Sequence, residues 1–248
     1  MTTRASGLDY REYPPPLRRH LIAVSLLGPA AAASAFGLAS WHLTAQTVAF
    51  SVMLAALAAL AESSPLHLTH KTNINVATSA YIAMLLLLPA GFPGMLALGA
   101  IGAAQLIRRR RNSLLDATEM LFNVGQGALS VTAGSVAFVV LARTFDRPTV
   151  AGASLLALIA AAGVMHLVNT ALVAGAIGLQ LGTPVRRVWS RNSRLHAGPH
   201  LALTGMGTVA AILAVSEPLL LPFLALPVVL VHRAVRGGSN CGSRPRTR

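Results

Sequence analysis

Residues 149–181, TVAGASLLALIAAAGVMHLVNTALVAGAIGLQL, run on without a single Asp, Glu, Lys or Arg. A hydrocarbon layer about 30 Å thick is crossed by ~20 mainly apolar residues in α-helix, so a run of this length belongs in a membrane. The chain repeats the pattern. Eight apolar segments lie at roughly 21–40, 45–62, 74–90, 92–107, 114–142, 149–181, 198–216 and 218–235, and none shows the alternation of an outer-membrane barrel strand. The predicted fold is all-α, a polytopic transmembrane helical bundle of about eight spans. It divides into a cytoplasmic N-terminal segment 1–20, the bundle 21–235, and a Gly/Ser/Arg-rich tail 236–248 expected to be disordered.

The bundle's charge has a topological explanation. Twenty Lys+Arg against seven Asp+Glu could suggest nucleic acid as a partner. With the N-terminus inside, however, eighteen of those twenty fall on the inner side and only Arg143 and Arg147 outside. Eight spans with both termini cytoplasmic therefore satisfy the positive-inside rule. The expected partner is a bilayer with anionic lipid at its inner face, not nucleic acid. Lys71 is the only lysine, and the Arg-, Ala- and Gly-heavy usage suits a high-GC gene, so a bacterial inner (plasma) membrane, crossed several times, is the expected location. Arg18 and Arg19 before the first run, with Ala33-Ser34-Ala35 after, resemble a signal peptide, but the run is longer than an h-region of ~7–15 residues. The single cysteine, Cys241, precludes an intrachain disulfide.

Three places test the span count. Residues 89–94, PAGFPG, join the third and fourth segments by a tight turn, and seven spans result if 92–107 is re-entrant. Segments 114–142 and 149–181 would extend ~43 and ~50 Å, so they must tilt, protrude or break. Gly163 could divide the second of them; one tilted helix is the simpler expectation. Residues 183–199, with Val185, Val188, Trp189 and Leu195 among four arginines, read as a short helix on the inner membrane surface or as a basic loop.

Polar residues inside lipid are the functional signal. Ser113 to Asp116 has a capping-box spacing, placing the start of the fifth helix near Leu114, with Asn123 ~14 Å and Gln126 ~18 Å up its axis. Glu119, Asn123 and Gln126 are spaced i, i+4, i+7 and form one stripe. On the next helix come His166, Asn169 and Thr170. The two sets lie nearly equidistant from the connection 143–148, so in an antiparallel hairpin they share a depth and are predicted to face each other or a common cavity. The candidate ligand-binding residues are these six, with Asn75 from the entry to the third span. Glu119 can instead reach toward Arg108–Arg111, and Asn, Gln, His and Thr also serve as interhelical hydrogen bonds worth ~0.6 kcal/mol without any ligand.

Other candidates carry less. Glu62, His67 and His70 lack a third strong ligand at a fixed spacing, so no metal site is expected, and His196 and His200 read as interfacial. No nucleophile-and-base set, phosphate-binding glycine loop or HExxH motif occurs, so neither an enzyme nor a cofactor is expected.

The AES at the end of span two, NINVATSAYIAMLLLLPAG, LFNVGQGALSV, and HLVNTALVAGAIGLQLG followed by VW together resemble a multi-helix membrane input module. It stands at the N-terminus of bacterial signalling proteins whose cytoplasmic parts are GGDEF cyclases, HD-GYP phosphodiesterases or histidine kinases. The resemblance covers about residues 20 to 235. It implies sensing, with Asn123, Gln126 and Asn169 at positions where the family also places polar residues. The pattern departs after Arg236, where twelve residues follow without a GGDEF or HD motif. The resemblance thus implies a stand-alone relative, a truncated product, or a protein acting through a separate cytoplasmic signalling partner or a homo-oligomer. The leading expectation is a non-catalytic membrane sensor or regulatory module. The alternative is a small transporter, or the substrate-capturing membrane subunit of one; a third is a scaffold whose polar residues only pack.

Overall fold

The computed structural model describes residues 13–39, 43–63, 66–69, 72–74, 76–111, 116–144 and 152–217, with the side chains of 66–69, 72–74, 111, 144 and 152–154 excepted. Among the described residues the helices are α1 (Pro15–Gly37), α2 (Ala45–Ser63), α3 (Ala77–Leu87), α4 (Phe92–Arg111), α5 (Ala117–Thr144), α6 (Gly152–Leu181) and α7 (Val185–Ser216). Five of them, α1, α2, α5, α6 and α7, are long and apolar enough to cross a membrane. The chain is a helical membrane protein. The expected eighth span 218–235, the tail 236–248 and Asn75 lie outside the described residues.

Local chemistry sets the helix ends. Pro15 opens α1 at a position whose N–H has no helical acceptor. At α5 the cap is Asp116, whose Oδ1 accepts the Thr118 backbone N–H at 3.2 Å, while its carbonyl accepts that of Met120 at 3.1 Å. The helix therefore starts three residues later than the capping-box reading placed it. Carboxylates cap as well as hydroxyls, and Asp116 is the residue from which the hydrogen-bonded ladder grows.

The third segment is shorter than its apolar run. Only Ala77–Leu87 is helical, a rise of ~16 Å, about half the hydrocarbon thickness. Before it, Leu66–Thr69 (β1) and Thr72–Ile74 (β2) pair antiparallel. After it, Leu88 is extended at φ −114°, ψ 151°, the conformation that a following proline imposes. Gly91 then turns the chain at φ +92°, and a Cβ there would run into the backbone of Ala35 and Phe36. The shortfall thus falls on α3, whereas α4, at 20 residues, has the length to reach across. Seven of the eleven α3 residues, including Tyr81, Ile82 and Met84, are buried.

The two long segments are single helices. α6 passes through Gly163 unbroken. The expected surface helix and the seventh span are likewise one element, α7, with Pro199 inside it. A proline in mid-helix removes one backbone hydrogen bond and crowds the preceding turn, so outside contacts must hold the two halves in line. Trp189 and Ser193 before the proline and His200 after it all bond to α6, which supplies that support.

Six helices close a ring, in the order α5, α6, α7, α3, α2, α4 and back to α5, with α1 outside against α5, α4 and α6. Small residues permit the tightest crossings. A Cβ on Gly28 of α1 would collide with the Gly125 backbone of α5, and one on Gly125 with that of Val24 and Ser25. Gly207 brings α7 equally close to Ser79 and Ile82 of α3. Without a hydrophobic drive between helices in lipid, such approach supplies dispersion contact. His20 adds a polar tie, its Nε2–H donating to the Leu172 carbonyl of α6 at 3.0 Å.

Gly125→Val is accordingly expected to lower the midpoint of thermal or SDS-induced unfolding, with a cost of about 2 kcal/mol or more, because two backbones must separate. Gly99→Ala adds its methyl where nothing lies within 4 Å and should stay within about 0.5 kcal/mol of the parent.

Candidate functional site

The six helices line a partly open cavity of about 440 Å³, within the range of small-molecule sites. Its wall is built where α2 and α4 end, where α3 and α5 begin, from the second half of α6 and from both sides of Pro199 in α7. The α5 contribution is Asn123, Gln126, Gly127, Ser130 and Val131. From the observed start at Ala117, Asn123 and Gln126 stand ~9 and ~14 Å up the axis. The polar stripe therefore lies about one turn nearer the helix start than the sequence placed it.

The α5 and α6 sets do face each other. The Gln126 side-chain amide donates to Asn169 Oδ1 across the hairpin. Asn123, Gln126, His166, Asn169 and Thr170 all line the cavity. Glu119 does not. It is exposed in the first turn of α5, outside the cavity wall, where a carboxylate is favoured by the helix dipole with no ligand present. Burial first, and then the Glu119 and Asp116 carboxylates, push the nearby Tyr13 phenol above its ordinary pKa.

Several wall residues are committed to holding helices together. Thr170 is buried, donates its hydroxyl to the His166 carbonyl at 2.8 Å, and accepts the Trp189 Nε1–H at 3.1 Å. His200 bonds through Nε2 to the Ala162 carbonyl at 3.0 Å. A carbonyl only accepts, so that nitrogen carries the hydrogen. His166 Nε2 lies 3.3 Å from Ser193 Oγ, and the His166 and His200 rings sit 4.8 Å apart, inclined at 41°. With His196 they form an imidazole wall, yet among the described residues no three His, Cys, Asp or Glu side chains converge to hold a metal ion.

Other wall residues are not committed. Gln105, 4% exposed, Asn123 and Asn192 border the cavity without a hydrogen bond to any described residue. Gln105 is buried and Asn123 and Asn192 are half-buried, and all three border one shared space. At one end of that space stand Glu62 and Arg108, the former accepting the Tyr81 hydroxyl on Oε1 at 2.9 Å.

His196 and His200, read from the sequence as interfacial, are thus wall residues. Asn192, His196 and His200 are spaced i, i+4, i+8, a helical face that was legible in principle but was cut by treating Pro199 as a boundary. Gln105 and Arg108, at i, i+3 on α4, had no such signal, since only ring closure turns that face inward. Glu62 lines the cavity, and the side chains of His67 and His70 lie outside the described residues.

No protein-family model, curated protein or solved structure matches the chain.

A double-mutant cycle on Gln126→Leu and Asn169→Leu should return a coupling of about 0.6 kcal/mol, and no more than ~1.7, in reversible unfolding. Asn123→Leu, which removes no hydrogen bond to a described residue, is expected to leave ligand-free stability within about 0.5 kcal/mol. A large loss at Asn123 would mean that it too is packing glue.

Proposed function

We propose that the protein is a non-catalytic integral-membrane sensor or regulatory module that binds a small polar ligand in the ring cavity. The observation that carries this reading is the group of uncommitted amides, Gln105, Asn123 and Asn192, turned toward one space from three different helices. Packing alone accounts for Gln126 with Asn169 and for Thr170 with Trp189. It does not account for amides without a hydrogen bond to any described residue. Bound water or a polar ligand satisfies them.

The direction of signalling follows from α7. Its first half places Asn192 and His196 on the cavity wall, and on the opposite side exposes Arg186, Arg187, Arg191 and Arg194. Occupancy of the cavity would thereby bias the position of a basic surface. By the positive-inside argument this surface, Arg108–Arg111 and the charged end of the cavity are cytoplasmic, in a bacterial inner membrane with anionic lipid beneath. A separate cytoplasmic partner, or a second copy of the chain, would receive the signal. The resemblance to membrane input modules of bacterial signalling proteins agrees with this reading.

One observation favours transport instead. α3 is a half-length helix, buried in the bundle, whose first turns place Thr78 and Tyr81 on the cavity wall. Half-helices that begin at a substrate site are a recurring transporter device. Against it, α5, α6 and α7 pass the cavity unbroken.

A thermal-shift screen of the purified protein against small polar metabolites should find a ligand that raises the melting temperature. The shift should be lost in Asn123→Leu and Gln105→Leu, and equal stabilisation of these variants would remove the ligand from this cavity. Counterflow of that ligand in proteoliposomes would decide for transport, while binding without flux supports sensing.

A further inference from the structure

The hydrogen bonds already made along the α5, α6 and α7 side of the cavity decide what is left there for a ligand. Gln126 gives its amide N–H to Asn169, so the Gln126 carbonyl and the Asn169 NH2 are left without a bond to any described residue. Turning both amides over exchanges these roles and again leaves one acceptor and one donor. His200 donates through Nε2 to the Ala162 carbonyl, and in the neutral ring its Nδ1 remains an acceptor. Asn123 and Asn192, with Gln105 from α4, keep a carbonyl and an NH2 each, with no hydrogen bond to any described residue. Every uncommitted amide thus sets an acceptor beside a donor.

Ligand chemistry follows from that mixture. An ionised carboxylate or phosphate only accepts and an ammonium only donates, so either would leave half of these groups unpaired, which is costly away from water. Molecules that donate and accept at neighbouring atoms remain, namely polyols and flat heterocycles with a lactam or amidine edge. The rest of the wall separates these two. Ile101, Val131, Met165 and Leu203, all buried, bring apolar surface to the cavity from α4, α5, α6 and α7. A polyol carries hydroxyls all round and would press some of them against this surface. A heterocycle confines its polar atoms to its edge and offers two apolar faces, to which the Met165 sulfur and the His166 and His200 rings are suited.

Resting on the reading of this cavity as a ligand site, we infer that it binds a free heterocyclic base of the purine or pyrimidine type. A side-chain amide pairs with such an edge through two parallel hydrogen bonds, the way Asn and Gln read adenine. Asn123 and Asn192 reach the cavity from α5 and α7, so a base held by both ties the helix of the polar stripe to the helix that carries the arginine surface. At about 30 Å³ per water in the liquid, the 440 Å³ cavity corresponds to roughly fifteen water-sized positions. That is room for a two-ring base.

The test titrates adenine, guanine, hypoxanthine, cytosine and uracil, each beside forms methylated at the nitrogens of its pairing edge, into the full chain in nanodiscs, with glucose and myo-inositol as polyols and calorimetry as the readout. At least one base should bind saturably, with its edge-methylated forms weaker by about tenfold or more, as expected when a wall amide loses its partner. Asn192→Leu should weaken that base by a similar factor, whereas Leu201→Ala, on an exposed position of the same helix, should leave its affinity unchanged. The methylated series on the unmodified protein keeps the inference falsifiable even if a variant fails to fold. Edge-methylated forms that bind as tightly as the parent would overturn it, as would a panel in which no base binds. A polyol or other polar metabolite that binds in an Asn123-dependent way, while no base does, would overturn the base and leave the cavity a ligand site. Absence of binding by any small polar molecule would overturn both.

Discussion

Hydrocarbon offers a polar side chain no partner, so each amide, hydroxyl and imidazole placed at depth must turn toward another helix or toward enclosed space. That constraint organises this bundle. α5 and α6 turn Gln126 and Asn169 inward to each other, and α6 and α7 are bound by Thr170 with Trp189 and His166 with Ser193. The lipid-facing sides are left to side chains such as Leu121, Val136, Leu156 and Leu167, all well exposed. Where the inward polar groups outnumber the bonds available between helices, a polar cavity results.

Closure of the ring depends on backbone proximity. Gly125 and Gly28 let α1 lie directly on α5, and Gly207 lets α7 reach α3. The glycine crossings and the interhelical bonds support one another. Hydrogen bonds of this kind are individually weak in membranes, and close dispersion contact over the whole helix length holds them in register. α7 shows the coupling clearly, because its proline weakens the element that the contacts with α6 then keep straight.

The bundle class and the facing of α5 and α6 were legible in the sequence because both depend on local quantities, namely run length and distance along a hairpin. Asn123, Gln126, His166, Asn169 and Thr170 meet on that basis alone. Glu119 misled because the stripe rule assigns a face without saying where the helix begins. Shifting the start to Ala117 puts Glu119 in the first turn, clear of the cavity wall. The half-length α3 was hidden inside a longer apolar run, since hydropathy does not distinguish helix from the extended residues that flank it. α7 was divided because a proline is a good boundary signal only when nothing outside the helix compensates for it. Glu62, Gln105 and Arg108 became wall residues through helix pairings that no local pattern specifies.

α1 is the one described helix that contributes nothing to the cavity wall, although it precedes the other six along the chain. Its main neighbour, α5, begins at residue 117, and α3 must wait for α7 to be made before Gly207 can dock. These pairings span large separations along the chain, and contacts of that kind form late. The cavity is thus among the last features to appear as the protein is made. Until α7 arrives, Asn123, Gln105 and Glu62 face an open side of the growing bundle. The interval between α3 and α7 is when an insertion factor or a neighbouring chain would meet those polar groups.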